Sequence, residues 1–155
     1  MAGLVVIGYD GSSDADHAID FAAARLGPAP ARVVTVWESG LAAGQAQAAP
    51  ALGAPAVPSP EDERRLEAAA HEVAAAGAAR AAAAGLHAEP DTRVGIGVGD
   101  IASALFDIAE EHDADLVVVG RRGMGRIRSA VLGSVSDAAI RDGRLPVLVV
   151  PVPSE

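Results

Sequence analysis

The sequence predicts a single α/β domain: a doubly wound, five-stranded parallel sheet with helices on both faces. Two observations carry that prediction. Five short runs rich in Val, Leu and Ile punctuate the chain, at Leu4–Ile7, Val33–Trp37, Val94–Val98, Leu116–Val119 and Val147–Val150. Four of them are nearly continuous rather than alternating, as strands covered on both faces are. Segments of helical periodicity separate the runs, and the resulting order β-α-β-α-β-α-β-α-β implies parallel crossovers. At 155 residues the chain is one domain, long enough to close a single core without disulfides or metal.

The elements follow in order. The first run leads into "YDGSS", residues 9–13, where Asp10 closes the strand and Gly11 turns the chain towards a helix. Ser13–Leu26 carries Ile19, Ala22, Ala23 and Leu26 on one side. After the second strand, Ser39–Pro58 is mostly Ala, Gly, Pro and Gln with few large apolar anchors, and reads as a disordered insertion within the domain. Glu61–Ala84 is the longest helix. Ser59 precedes Pro60, a favoured first helical residue, with Asp62 three positions after the serine. Gly95 and Gly97 blur the third strand. Asp100 is a good N-cap for the stripe Ile101, Leu105, Ile108 and Ala109. Gly133–Asp142 is short and ends at Gly143, a C′ glycine.

Composition excludes several function classes. Half of the residues are hydrophobic but only 3% are aromatic, so the core is built from small aliphatic side chains. Cysteine is absent, which removes disulfides, thiol catalysis and thiolate metal sites together. His17, His71, His87 and His112 are scattered without ligand spacing, and Glu110, Glu111, Asp113 and Asp115 read as a solvated helix end rather than a metal site. The sequence has no eighteen-residue apolar run and no basic-then-apolar leader, so a cytoplasmic location without a membrane partner is expected. A net charge of −9 and a pI near 4.8 argue against nucleic acid as a partner.

One stretch runs against that charge. "GRRGMGRIRSAVLGS", residues 120–134, gathers four of the twelve basic residues on a glycine-rich loop after the fourth strand. Glycines let backbone N–H groups approach an anion, Gly133, Ser134 and Val135 open a helix whose dipole favours phosphate, and arginines supply charge. The spacing is neither a Walker A loop nor a dinucleotide fingerprint. Ligands of parallel α/β sheets sit outside the strands' carboxyl ends, where strand order reverses. If the first and fourth strands are neighbours, Asp10 faces this loop. Plainer readings stand beside these: Asp10 bonding its own turn, and an empty mobile loop whose arginines pair with the abundant carboxylates.

Gly120-x2-Gly123-x9-Gly133-Ser134 resembles the nucleotide-binding signature of the universal stress protein family. "LVVIGYDGS" resembles that family's first strand, "DADLVVVGRRG" its fourth and "GSVSDAAIRDGRLPVLVV" its end, leaving only Ser39–Pro58 outside. The resemblance implies strand order 3-2-1-4-5 and ATP as ligand, accompanied by Mg²⁺ held by the phosphates, since the loop supplies no carboxylate. It puts Asp10 on the nucleoside, with Gly11 and Ser12 in the same turn, and the backbone of Val36 on adenine. Gly120 and Gly123 would line the ribose and phosphate path, and Gly133, Ser134 and Val135 would hold the phosphates. Arg121 and Arg122 depart from the pattern, since a small residue is commoner at the first; an arginine there adds a phosphate contact or faces solvent. Trp37, also unusual, stacks near the base or caps the core.

In that strand order Val147, Leu148, Val149 and Val150 form an uncharged sheet edge, which implies a homodimer through antiparallel pairing. The functional expectation is an ATP-binding signalling dimer of the stress response, read by a downstream protein. Two alternatives stay open: a ligand-free dimeric interaction module, and a slow ATPase. Slow hydrolysis or autophosphorylation occurs in some members of that family, but no histidine or carboxylate in the loop is an obvious activator of water.

Overall fold

The computed structural model describes residues 3–39, 59–95, 98–122 and 134–152. Strands and helices alternate through them: β1 Val5–Gly8, α1 Ser13–Leu26, β2 Pro30–Glu38, α2 Pro60–Ala83, β3 His87–Gly95, α3 Val98–Glu111, β4 Leu116–Gly120, α4 Ser134–Asp142 and β5 Val147–Val150. β1 pairs in parallel with both β2 and β4, while β2 pairs with β3 and β4 with β5. The strand order is therefore β3-β2-β1-β4-β5, the expected doubly wound sheet.

Two apolar layers cover the sheet because successive strand residues point to opposite faces. Val5 and Ile7 of β1 join Val33, Val118 and Val150 under α1 and α2. Val6 joins Val34, Val117 and Val119 under α3 and α4. Small side chains set the spacing. Ala74 and Ala78 of α2 are buried, and a Cβ on the intervening Gly77 would lie 2.6 Å from Tyr9 Cδ1 and 2.8 Å from Val33 Cγ1. That contact lets α2 lie directly on the sheet. Phe106 is the largest fully buried side chain, an aromatic anchor in a core otherwise made of aliphatics.

Helix ends follow their local chemistry. Ser12 caps α1 by accepting the Ala15 N–H at 3.2 Å. Ser59 and Asp62 form a reciprocal capping box at α2, with Pro60 just inside. Those bonds hold the Asp62 carboxyl below its ordinary range. Gly143 ends α4 at φ +59°, a conformation that L side chains rarely adopt.

Two expectations are corrected. The third strand is His87–Gly95 rather than residues 94–98, and Val98 already begins α3. Its sequence, HAEPDTRVG, carries little apolar signal because β3 is an edge strand with Glu89, Pro90 and Val94 exposed. Asp100 is the third residue of α3 and does not precede it, so it is not the N-cap. The proposed insertion, Ser39–Pro58, lies outside the described residues apart from Ser39.

The two sheet edges differ. The His87 N–H donates to Ala29 O, so alternation turns the backbones of residues 89, 91 and 93 towards β2 and that of Pro90 outwards, where its missing N–H interrupts nothing. On the other side Val117 N–H donates to Pro146 O and Arg121 N–H to Val150 O, which leaves Val147 and Val149 with outward-facing N–H and C=O groups. β3 is guarded by proline and charge. β5 is not.

Candidate functional site

The chain leaves β1 for β2 on one side and returns through β4 on the other, so strand order reverses between β1 and β4. A crevice outside the carboxyl ends of these strands is the position this architecture offers to a ligand. Its first rim is residues 9–12. Tyr9 N–H donates to Val34 O and Thr35 Oγ1 to Tyr9 O, both at 2.9 Å, tying the strand exit to β2. Asp10 Oδ1 accepts the Ser12 N–H at 3.0 Å, and Gly11 takes φ +79° to complete the turn. The local bonding expected of Asp10 in its plainer reading is thus present, and Ser12 serves as a helix cap.

Behind this rim lies a polar network. Tyr9 Oη donates to Asp16 Oδ1 at 2.8 Å, and Arg80 of α2 pairs with both Asp16 and Asp20. Burial first, and then the bond to Asp16, pushes the Tyr9 hydroxyl up to about 12. The network joins α1 and α2 to the end of β1.

The second rim is the exit of β4. Gly120 packs against the first turn of α1: a Cβ there would lie 2.9 Å from Asp14 C and O. Arg121 N–H donates to Val150 O at 2.9 Å, and Arg121 O accepts from the buried Ser136 Oγ at 3.1 Å. Arg122 N–H donates to Asp14 Oδ2 at 3.1 Å. Three elements, α1, α4 and β5, therefore hold three consecutive residues.

Six of the ten described arginines are neutralised within the protein; among the described residues the exposed Arg25 and Arg64 on helix surfaces are not, and neither are the two at this rim. Arg32, Arg65, Arg80, Arg93, Arg141 and Arg144 all pair with carboxylates. Arg121 and Arg122 pair with none among the described residues, and the buried Nε of Arg121, like that of Arg32, has no hydrogen-bond partner. A guanidinium left in that state favours an arriving anion.

Val36 sits two residues beyond Val34, whose carbonyl accepts from Tyr9. Alternation gives Val36 the same lateral direction, past the end of β1, where that strand no longer occupies the edge. Its side chain packs against the α3 layer. Of the residues singled out from sequence, Asp10, Gly11 and Ser12 thus follow the carboxyl end of β1, and Gly120, Arg121 and Arg122 stand at that of the neighbouring β4. Ser134 opens α4, and the Val135 side chain packs into the core beneath it. Gly123 and Gly133 lie outside the described residues.

Sequence reasoning missed Asp14, Ser136 and the Tyr9–Asp16–Arg80 network. Two acidic residues in the first turn of α1 signal only a helix start. Among the described residues no group of three His, Cys, Asp or Glu could hold a metal ion, and no helix is long and apolar enough to cross a membrane.

The family model for universal stress proteins matches residues 1–151. The chain belongs to the universal stress protein family. Among curated members it is 43% identical over 53 residues to universal stress protein Sll1388 of Synechocystis sp., a match covering 34% of each chain. Matches to the curated relatives span 34%, 32% and 38% of their lengths. A solved universal stress protein in complex with cAMP has a TM-score of 0.65 and 27% identity, covering 97% of both chains. A family protein from Arabidopsis thaliana with AMP bound has a TM-score of 0.63 and 15% identity, covering 98% of this chain and 93% of that one. At that identity the second likeness shows the fold alone.

Proposed function

We propose that this universal stress protein binds ATP at the crevice between β1 and β4 and acts as a nucleotide-dependent signalling dimer of the cytoplasmic stress response. The observation that carries the reading is the Arg121–Arg122 pair at the strand-order reversal, with no carboxylate partner among the described residues and with the Arg121 Nε buried and without a hydrogen-bond partner. Bound cAMP in the solved universal stress protein at 27% identity supports an adenine nucleotide as the anion.

In this reading the backbone of Val36 meets adenine through its outward-facing edge, and Asp10 meets the nucleoside from the turn that Gly11 closes. Gly120 and Gly123 line the ribose and phosphate path. Gly133, Ser134 and Val135 hold the phosphates through the N–H groups that open α4, with Arg121 and Arg122 adding charge. Mg²⁺ supplies further neutralisation and is held by the phosphates. The role is binding, with no residue assigned to chemistry.

The dimer forms through Val147, Leu148, Val149 and Val150, because β5 is the edge that lacks proline and charge within its run. Arg121 N–H donates to the last residue of that strand, so the phosphate rim and the dimer edge share a hydrogen bond. A downstream protein would read the resulting state. The ligand-free interaction module remains the second reading, favoured by the local bonds that Asp10 and Ser12 already make.

Mass spectrometry of the small molecules released on denaturing the purified protein separates the two readings. An adenine nucleotide near one per chain is expected. A dimer that releases none, and takes up none when supplied, would favour the interaction module.

A further inference from the structure

Asp14 joins α1 to the exit of β4. It stands in the first turn of α1, half-buried, two residues after the Ser12 cap. Its backbone packs against Gly120 so closely that a Cβ there would lie 2.9 Å from its carbonyl carbon and oxygen and 3.1 Å from its own Cβ. Its carboxylate then reaches past Gly120 and accepts the Arg122 N–H at 3.1 Å. An aspartate in a first helical turn complements the helix dipole without any such contact. A dipole role alone leaves both the missing Cβ of Gly120 and the turned carboxylate without a reason.

We propose that Asp14 is a positioning residue, a clasp that fixes the backbone of Arg121 and Arg122 against α1 before any phosphate arrives. The chain leaving β4 then starts from a set place and direction, and binding need not order it. The consequence for affinity rests on the nucleotide reading above; the clasp itself does not. Asp14 works through an acceptor oxygen, and its negative charge opposes the polyphosphate it helps to seat. Acceptor and charge can be separated. Asp14→Asn keeps an acceptor and removes the charge, whereas Asp14→Ala removes both.

The test is NMR-detected amide exchange of Arg122 in the ligand-free protein, together with calorimetric titration of ATP and adenosine into both variants. In Asp14→Ala the Arg122 amide should exchange about tenfold faster while the amides of α1 keep their protection. ATP should bind about fivefold more weakly, and adenosine, which lacks phosphates, equally well. Asp14→Asn should retain most of the protection and bind ATP at least as tightly as the parent. Unchanged Arg122 exchange in Asp14→Ala overturns the clasp, as does equal loosening of Arg122 and all of α1. Tighter ATP binding by Asp14→Ala would show that the residue acts only as a charge, and also overturns it. A parent protein that binds neither ligand ends the nucleotide reading, and the exchange measurement still decides the clasp.

Discussion

The β1 rim and the β4 rim of the crevice are held in different ways. At the β1 rim, side chains bond to near neighbours: Asp10 to the Ser12 N–H, Ser12 to the Ala15 N–H, and Tyr9 to Asp16. At the β4 rim, backbone groups of Arg121 and Arg122 bond to Asp14, Ser136 and Val150, while their guanidinium groups find no carboxylate among the described residues. The turn at the first rim is shaped by its own sequence, with Tyr9 tying it to β2. The second is an uncommitted charge placed by the rest of the fold. A preformed turn at one rim and a cationic backbone exit at the other suit a ligand that is neutral at one end and strongly anionic at the other.

Substitutions that separate the two rims should therefore have different ligand profiles. Gly133→Asp, which adds a side chain and a negative charge where phosphate is expected, should weaken ATP about a hundredfold or more and leave adenosine nearly unchanged. Calorimetry against both ligands checks this, and equal ATP affinity for variant and parent would remove the phosphate assignment. Asp10→Ala acts on the other rim. It should weaken adenosine, AMP and ATP alike, by about tenfold, the size of one charged hydrogen bond. A loss confined to ATP would move Asp10 to the phosphate end.

Arg121→Ala should have a smaller effect, about fivefold on ATP, less on AMP and none on adenosine. Its effect should shrink as salt is raised. The smallest effect on binding is expected at Tyr9, whose hydroxyl bonds within the protein. The chain contains one tyrosine, so tyrosinate absorbance reports on it alone. The native titration should centre near about 12 and return towards 10.0 on unfolding. Because the folded value is the higher one, the stability linked to Tyr9 is complete below the unfolded value and is lost as pH rises between them. A native midpoint near 10.0 would mean that the Tyr9–Asp16 bond does not hold in solution.

Much of this arrangement is legible in the chain, where the signals are local. β1, β4 and β5 declare themselves by continuous apolar runs, and Ser59, Pro60 and Asp62 mark the start of α2. β3 does not, since an edge strand containing Glu89, Pro90, Asp91 and Arg93 has no need of a buried pattern on both faces. The same divide runs through the site. The Asp10–Gly11 turn and the glycine spacing after β4 can be read directly, because each is a constraint on adjacent backbone. The Asp14–Arg122 bond joins residues 108 apart, and nothing near either residue announces the other. That Arg121 meets no carboxylate among the described residues depends on where the other elements place theirs, which only the fold determines.

Whether the crevice binds ATP with its phosphates at the β4 rim is decided by calorimetric titration of ATP and adenosine into the unaltered protein. Saturable binding of one ATP per chain is expected, with adenosine bound more weakly because it lacks everything that Arg121, Arg122 and the start of α4 would recognise. A folded protein that takes up neither ligand, or binds adenosine as tightly as ATP, would contradict it.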